Sequence, residues 1–524
     1  MSAQMLSSWI SSQRLQTPLL PPSTRPFTTN LEAALDARRK THSCVNLRHK
    51  SPSSIDFSSN DVLSLASSGL IRMAFFDELA KWPGFKLGSQ GPRLLDGNNE
   101  YIELVEAEIA SFEKAETATI VNSGYEANGV IFSSLPQKGD VIVFDELVHA
   151  SVHDGMKHSL ATAKLSFRHN NLEDYRATLL SVKEKYPQIA DGTSTVIVSV
   201  ESVYSMDGDI GPLAQFITIG KSLFHEHHNI EFFVDEAHST GVLGPRGAGL
   251  VVELGLEDEV AVRLHTCGKA MGGNGAFILS SKTVKNCFIN YARAVIYTTA
   301  PSFPTLASIR AGITLMSSGM TEARQAHIQT LTRHFAKSLF ANPTFQKAKE
   351  AGILSLPVLD HWEQKPYLTH IIPIWTRANY NHFLVFHLQL AGICTWAIDY
   401  PVVPRGKGRV RLVFHAGNTV EEVEGLVGAV VGWAGEMVGI EEEVKVGGKM
   451  RVPEAARRVE GEGEENVKKE EVNGKGNGLP APGAQNNGTN GDVKMAEIID
   501  VKEVHESGNI GVVEKRASVD GVVV

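Results

Sequence analysis

Short apolar runs recur through the first half of the chain, and each is followed by a polar turn and then by a stretch with helical spacing. Such runs, rich in Val and Ile and bounded by turn residues, are typical of strands that are buried on both faces of a parallel sheet. We interpret four of them as strands: Ala118–Val121, Val141–Asp145, Thr195–Val200 and Phe232–Val234. Residues 99–114 carry apolar side chains at helical spacing. The alternation of strands and helices predicts an α/β fold.

Polar residues follow these runs at the places where we expect the strands to end. Asp235 directly follows one run, His149 and Ser205 come soon after two others, and Lys269 follows the end of a further expected strand. Open parallel sheets bind ligands outside the carboxyl ends of their strands. The sequence therefore predicts that these side chains converge on one crevice.

Asp235 and Lys269 are the residues around which a cofactor site can be built. A lysine can bind the aldehyde of pyridoxal phosphate (PLP) covalently, and a carboxylate can keep the pyridine nitrogen protonated so that the ring accepts electrons. The segment Asn122–Asn128 turns from a strand into a helix, and the free N–H groups of such a helix start favour a phosphate. His149 stands where an aromatic ring could stack on a planar cofactor. A lone histidine would not indicate this, and only its neighbours make it a candidate.

The run Val234–His238 also matches the second nucleotide motif of helicases, which makes an NTPase an alternative interpretation. That function needs a phosphate loop of the form Gly-x-x-x-x-Gly-Lys-Ser/Thr. Gly220–Ser222 is the nearest match, but Gln215 stands where the first glycine belongs. The NTPase interpretation therefore lacks its phosphate site.

Two polar residues nearer the N-terminus are candidates for substrate contact. Arg93 lies in the loop Lys86–Asn98, whose glycine and turn residues let the backbone approach a ligand closely. We expect Arg93 either to contact an anion or to be an ordinary surface residue. Asn60 follows a short expected strand and could face a ligand or serve only the turn.

Beyond residue 325 the pattern changes to helices and shorter strands, which indicates a second, smaller domain. The run Arg409–Phe414 alternates as a strand with both arginines on one face. Two like charges side by side repel each other unless an anion lies near them. An anion near this pair of arginines is one interpretation, and a solvent-facing edge is the alternative, plausible above all for Arg409.

Composition narrows the classes of function. The chain has 524 residues, a formal net charge of −9 and a pI near 6.1, which argues against a nucleic-acid-binding protein. Its four cysteines are scattered, so we expect a reducing compartment and no structural metal. No apolar run approaches the ~20 residues of a membrane span, and the longest, Gly425–Gly435, is better explained as a packed helix.

These patterns divide the chain into five predicted parts. They are a disordered leader (1–30), an N-terminal segment (31–75), a large PLP-binding domain (76–325), a small C-terminal α+β domain (326–440) and a disordered tail rich in Glu, Lys, Gly and Asn (441–524). The leader has no acid but only two arginines, which is weak for an organellar presequence. We expect a cytoplasmic protein, with the peroxisome or the mitochondrion as alternatives.

Four segments, taken in their order, resemble the α-oxoamine synthases. They are Asn122–Tyr125, Ser205–Asp209, Val234–Gly241 and Thr266–Lys269. Members of this family are fold-type I PLP enzymes that join an amino acid to an acyl-CoA with loss of carbon dioxide. The resemblance covers residues 31–440. It implies an aspartate aminotransferase-like α/β fold with a mostly parallel seven-stranded sheet, and a homodimer with sites at the subunit interface.

The resemblance also implies a role for each site residue. Lys269 would hold PLP and move the α-proton of the substrate, Asp235 would pair with the pyridinium nitrogen, and His149 would stack on the ring. The other implied contacts are His238 and Ser205 at the ring hydroxyl, the amides of Gly124 and Tyr125 and the hydroxyl of Thr266 at the phosphate, Arg411 at the substrate carboxylate, and Thr298 or Thr299 at the phosphate of the partner subunit.

Within the family, the run Ile296–Thr299 resembles the 8-amino-7-oxononanoate synthases of biotin synthesis. The resemblance thus implies condensation of L-alanine with pimeloyl-CoA to 8-amino-7-oxononanoate, CoA and carbon dioxide. One alternative is a sister synthase that uses glycine, serine or another acyl-CoA. The other is a non-catalytic PLP-fold protein that acts as an interaction subunit of a larger complex.

Overall fold

The computed structural model describes residues 2–21, 23–41, 43–47 and 49–459. In this part of the chain, sheets of seven and four strands organise the fold, and a third sheet is a pair of two-residue strands. The strands are, in chain order, β1 Ile55–Asp56, β2 Thr117–Val121, β3 Val141–Asp145, β4 Ala163–Phe167, β5 Val196–Glu201, β6 Ile230–Asp235, β7 Val262–Thr266, β8 Ala276–Ser280, β9 Leu354–Ser355, β10 Ile371–Thr376, β11 Ile393–Cys394, β12 Trp396–Ile398 and β13 Arg409–Val413.

The helices cover both faces of the larger sheet and pack on the smaller one. They are α1 Ser2–Ser12, α2 Pro26–Arg39, α3 Leu70–Ala80, α4 Glu100–Phe112, α5 Gly124–Ser134, α6 Ala150–Lys157, α7 Leu172–Lys185, α8 Pro187–Ala190, α9 Leu213–Leu223, α10 Leu250–Glu253, α11 Lys282–Tyr291, α12 Arg293–Tyr297, α13 Phe303–Ser317, α14 Glu322–Phe340, α15 Pro343–Glu350, α16 Tyr380–Leu390 and α17 Val420–Lys445.

The larger sheet has seven strands in the order β2-β8-β7-β6-β5-β3-β4. β8 runs antiparallel to β2 and β7, and the other neighbours are parallel. Along β3, Val141 and Val143 enter one apolar cluster and Ile142 and Phe144 enter another. Successive side chains of a strand point to opposite faces, and both sets are apolar because helices cover both faces of the sheet. The predicted fold, with its mostly parallel seven-stranded sheet, is confirmed.

The smaller sheet has four antiparallel strands in the order β12-β13-β10-β9. Its helix α17 starts with the capping box of Thr419 and Glu422. Among the described helices, only α17 is long and apolar enough to cross a membrane by length and composition. Half of its apolar window is buried, however, and it packs against α14, α15 and α16 with Trp433 fully covered. α17 is therefore a core helix of the smaller sheet, as predicted for Gly425–Gly435.

Both ends of the described chain pack on one apolar core, which differs from the expected leader and tail. α1 buries Leu6 and Trp9 in contact with α16, and Ala455 and Val459 join the same cluster from a helical stretch at residues 454–459. The prediction of disorder over residues 1–30 and from residue 441 onward overlooked these apolar side chains, because the core that buries them is formed by elements distant in the chain. Residues 460–524 of the predicted tail lie outside the described residues.

Candidate active site

Three neighbouring strands of the larger sheet end in residues of the predicted crevice. β5 ends at Glu201, β6 at Asp235 and β7 at Thr266. Glu201 and Asp235 lie opposite each other in the register of the sheet. Because these strands are adjacent and parallel, their carboxyl ends open on one edge, as predicted. Glu201 was not among the residues predicted for the site, and the structure adds it.

Lys269 follows β7, and its Nζ lies 3.0 Å from Nε2 of His238. Burial lowers the pKa of the Lys269 amine to about 8, although the carboxylates of Asp235 and Glu201 favour its charged form. Burial, with the Lys269 charge, also holds the pKa of His238 well below its usual range. A neutral imidazole therefore faces a lysine that loses its proton readily, and the neutral amine is the form that attacks an aldehyde.

Both carboxylate oxygens of Asp235 accept a hydrogen bond. The backbone N–H of Ala237 donates to Oδ1 at 2.9 Å, and the side-chain amide of Asn128 donates to Oδ2 at 2.9 Å. These bonds fix the direction of the carboxylate and leave it an acceptor, which a protonated ring nitrogen requires of its partner. Asn128 lies on α5 and was not singled out in the sequence.

His149 is the residue that caps the N-terminus of α6. Its Nδ1 lies 2.7 Å from Oγ of Ser151, and its backbone N–H donates to Oε1 of Glu201 at 2.6 Å. Burial lowers the pKa of the His149 ring, while the nearby Asp235 acts in the opposite direction and Lys269 adds to the lowering. The structure thus brings His149, Asp235 and Lys269 together.

The N-terminus of α5 supplies a candidate phosphate site. The helix begins at Gly124, and Oγ of Ser123 accepts from the N–H of Glu126 at 3.1 Å. The N–H groups of Gly124 and Tyr125 belong to the first turn and have no acceptor within the helix. A Cβ at Gly124 would lie 3.4 Å from Cβ and 3.5 Å from Oγ1 of Thr266. The helix start and the Thr266 hydroxyl therefore lie side by side, as predicted.

Arg411 of β13 reaches the same region from the smaller sheet. Its Nε donates to the carbonyl of Ser205 at 2.7 Å, and Oδ1 of Asn60 lies 3.5 Å from its Nη2. Arg411 is only 9% exposed, and no carboxylate of the described residues lies within ion-pair distance. Burial lowers the pKa of its guanidinium to about 10, and its charge in turn lowers the pKa of Lys269. A buried cation without a counterion is costly unless a ligand supplies the anion.

Arg409 and Arg93 each pair with a carboxylate of the chain, which differs from the predicted solvent-facing and anion-binding roles. Arg409 is 2% exposed, forms an ion pair with Asp207, and lies 3.8 Å from the ring centroid of Trp375, so the solvent-facing alternative is wrong. Arg93 donates to both oxygens of the buried Glu106, at 2.6 and 3.2 Å. Glu106 also accepts from Nζ of Lys285 at 2.7 Å, so this internal network engages the guanidinium that the predicted anion contact would need.

Thr299 forms a β-bridge with Pro92 in the loop that contains Arg93. Both Thr298 and Thr299 are exposed at this edge of the large domain. A contact between either hydroxyl and the phosphate of a partner subunit stays a prediction.

Two histidines of this region were missed in the sequence, because only the fold brings His370 beside His238 and His169 beside its carboxylates. His370 is 1% exposed, its ring centroid lies 5.9 Å from that of His238, and neither of its nitrogens has a partner among the described side chains and backbone. His169 contacts Asp145 at 2.9 Å and Asp209 at 2.7 Å. Although burial opposes it, hydrogen bonding to the two carboxylates raises the pKa of His169 to about 10. The resulting cation anchors the segment that follows β5.

Taken together, these groups fit PLP. A buried lysine of lowered pKa, a hydrogen-bonded carboxylate and a helix start whose first two N–H groups have no acceptor within the helix are the three features that its aldehyde, ring nitrogen and phosphate require. The same arrangement leaves Arg411 available for the carboxylate of a substrate.

Known proteins are similar to this chain in sequence. Residues 52–430 match the family described as aminotransferase class I and II. The chain is 48% identical over 455 residues to the aminoacyl transferase sphA of Aspergillus fumigatus, which covers 86% of this chain and 96% of that protein. It is 44% identical over 386 residues to the 8-amino-7-oxononanoate synthase of Emericella nidulans, which covers 74% and 90%.

Solved structures carry the same fold. A serine palmitoyltransferase from S. paucimobilis with bound PLP aligns with a TM-score of 0.65 at 22% identity, over 79% of this chain and all (100%) of that chain. The 8-amino-7-oxononanoate synthase of Francisella tularensis aligns with a TM-score of 0.55 at 26% identity, over 75% and 100%. These likenesses confirm the predicted PLP-dependent aminotransferase-like fold.

Proposed function

The chain belongs to the α-oxoamine synthases within the aminotransferase class I and II family, and from this premise we propose that it joins a small amino acid to an acyl thioester with loss of carbon dioxide. PLP is the cofactor of this family. The observation that carries the proposal is the buried, uncompensated guanidinium of Arg411 close to Lys269. A cation so placed can bind an amino-acid carboxylate next to the amine that moves the α-proton.

Each residue of the site has a proposed role. PLP, when bound, supplies the electron sink that stabilises negative charge on the substrate α-carbon. Lys269 holds the cofactor and, as an amine of lowered pKa, accepts the α-proton. Asp235 retains the proton of the ring nitrogen, and His149 covers one face of the ring. The amides of Gly124 and Tyr125 hold the phosphate together with Thr266, and His238 and Ser205 lie toward the ring hydroxyl.

Two candidate reactions fit this scheme. Condensation of L-alanine with pimeloyl-CoA is supported by the relative from Emericella nidulans, which is 44% identical over 74% of this chain. A sister reaction with another amino acid or acyl group is supported by the aminoacyl transferases sphA of Aspergillus fumigatus and Byssochlamys spectabilis, at 48% and 47% identity over 86% and 87% of this chain. Because these matches are longer and more similar, we place the sister reaction first.

A homodimer is part of the proposal. The loop around Pro92 and the segment around Thr299 are joined by a β-bridge, and Oγ of Ser89 donates to the carbonyl of Ala300 at 2.6 Å. Large apolar side chains are exposed in this region, among them Leu87, Leu95, Tyr291 and Tyr297, each at least 67% exposed. An apolar surface of this kind is typical of a subunit interface.

Thiol release is the measurement that tests the reaction. Purified protein with PLP is mixed with pimeloyl-CoA or palmitoyl-CoA, each with alanine, glycine or serine, and free CoA and carbon dioxide are measured. Both products should appear together, and Lys269→Ala should release neither while keeping its fold. Release with alanine and pimeloyl-CoA alone would select the biotin-pathway reaction, and any other productive pair the sister reaction. Thiol release without carbon dioxide, or full activity in Lys269→Ala, would contradict the proposal.

A further inference from the structure

A single amide joins two parts of the cofactor site. Nδ2 of Asn128 lies 2.9 Å from Oδ2 of Asp235 and 2.9 Å from Oγ of Ser151. Oγ of Ser151 lies 2.7 Å from Nδ1 of His149. A continuous hydrogen-bonded path therefore runs from Asp235, through Asn128 and Ser151, to the ring of His149.

Chemistry fixes the direction of each bond along this path. An ionised carboxylate only accepts, so Asn128 must turn its NH₂ group toward Asp235, and the second hydrogen of that group serves Ser151. The backbone N–H of Ser151 also points at Nδ1 of His149, at 3.3 Å. An atom that receives an N–H donor must hold a lone pair, so Nδ1 is unprotonated and the Ser151 hydroxyl can donate to it. The path therefore selects the neutral His149 tautomer that carries its proton on Nε2.

Helix packing holds Asn128 in this position. Asn128 lies on α5 and Ser151 on α6. The two helices approach so closely that a Cβ at Gly155 would lie 2.7 Å from the backbone carbonyl oxygen of Asn128. Asn128 is only 3% exposed, so water does not compete for its amide. Only an amide of this length offers two hydrogens to two acceptors at this distance, because Asp offers none and Gln would be one methylene too long.

We propose that Asn128 is a positioning residue for the cofactor, which sets the carboxylate of Asp235 and the ring of His149 with one side chain. This inference rests on the proposed function, since it assumes that Asp235 faces the ring nitrogen of PLP and that His149 lies over the ring. It assigns Asn128 no contact with the cofactor itself. Through this path the carboxylate of Asp235 and the ring of His149, the two groups that would hold the PLP ring, are linked to each other.

Binding of PLP to the full-length apoprotein tests the proposal without any substrate. Asn128→Asp keeps the shape of the side chain and removes both donors, Asn128→Ala removes the side chain, and Ser151→Ala breaks only the half of the path toward His149. Ser134→Ala is the matched control, because Ser134 is a buried polar residue of the same helix whose hydroxyl donates to its own helix at Val130. The readouts are the PLP dissociation constant, the circular dichroism of bound PLP and the unfolding temperature of the apoprotein.

We expect both Asn128 variants to bind PLP at least about tenfold more weakly, because a hydrogen bond to a charged group is lost. Ser151→Ala should alter the circular dichroism of bound PLP with a smaller loss of affinity, and Ser134→Ala should match the wild type in both. Wild-type affinity and dichroism in Asn128→Asp would overturn the proposal, as would an equal loss in Ser134→Ala. If Asn128→Ala does not fold, Asn128→Asp and Ser151→Ala decide the outcome. A wild type that binds PLP but releases no thiol would refute the proposed function and leave this test intact.

Discussion

Arg409 and Arg411 lie on the same face of β13, yet among the residues that the structure describes only Arg409 has a carboxylate partner. Asp207 pairs with Arg409, whereas Arg411 contacts the carbonyl of Ser205 and the side chain of Asn60. Because both guanidinium groups are buried, the difference lies in what neutralises them. The charge of Arg409 is balanced within the chain, and that of Arg411 is available to a ligand.

Arg411→Lys should therefore raise the KM for the amino acid at least about tenfold, because a lysine loses the bidentate geometry that binds a carboxylate. PLP binding should change little, since Arg411 is not assigned to the cofactor. The matched control is Arg409→Lys, which should lower the unfolding temperature without a comparable effect on KM. Steady-state kinetics with varied amino acid check this, and equal KM values in the two variants would contradict it.

The lowered pKa of Lys269 predicts how the apoprotein captures PLP. The neutral amine is the reactive form, and its pKa is about 8. The rate constant for capture should therefore rise about tenfold per pH unit below pH 8 and level off above it. The reference is Nα-acetyl-lysine, which has a free ε-amine and whose reaction with PLP should keep accelerating beyond pH 9. Stopped-flow absorbance measures both, and a capture rate that follows the reference would contradict a lowered pKa.

The ion-paired His169 predicts a pH dependence of stability. Its folded pKa is raised to about 10, above the ~6.5 of an unfolded chain, so its contribution is complete below pH ~6.5 and is lost as the pH rises toward 10. The wild type should exceed His169→Gln in free energy of unfolding by at most about 5 kcal/mol more at pH 6.5 than at pH 10. Guanidinium unfolding at both pH values measures this difference. A gap that widens with pH would show that the sign is wrong.

The exposed apolar side chains near the Pro92–Thr299 bridge predict a subunit interface. Introducing charge there, with Leu95→Glu and Tyr297→Glu together, should convert a dimer into a monomer, because burying two carboxylates in an apolar contact is unfavourable. Leu19→Glu is the control, since Leu19 is 72% exposed in a different part of the chain. Light scattering after size-exclusion chromatography gives the mass. A monomeric wild type, or an unchanged dimer in the double variant, would contradict the interface.

The sequence predicted the parts of the site that local pattern encodes. Asp235 and Lys269 stand at recognisable strand ends, and the helix start at Gly124 follows a strand and a capping serine. The partners of these residues could not be predicted in the same way. Asn128 looks like any polar residue of a helix, and its bond to Asp235 spans 107 positions. Only the packing of the helix against the sheet brings the two together.

Charge balance was the other property that the sequence did not encode. Arg93 and Arg411 were candidates for contact with an anion and Arg409 was expected to face the solvent, but their neighbours in the chain do not reveal which charge is balanced. The structure separates them by their acids: Glu106 lies against Arg93 and Asp207 against Arg409. The extent of the ordered chain was misjudged for a similar reason, because Trp9 gains its burial from a distant helix.

The contact between Asn60 and Arg411 joins residues that are 351 positions apart. A ribosome delivers Asn60 early and Arg411 only after the whole larger sheet has been made. Domains generally fold in the order of synthesis. A nascent chain would therefore contain Lys269 and the helix start at Gly124 before it contains Arg411, the cation that we propose for the amino-acid carboxylate. A chain that ended before β13 would keep the residues proposed to hold PLP and lack the one proposed to bind the amino acid, so the last described strand adds the proposed substrate contact to the proposed cofactor site.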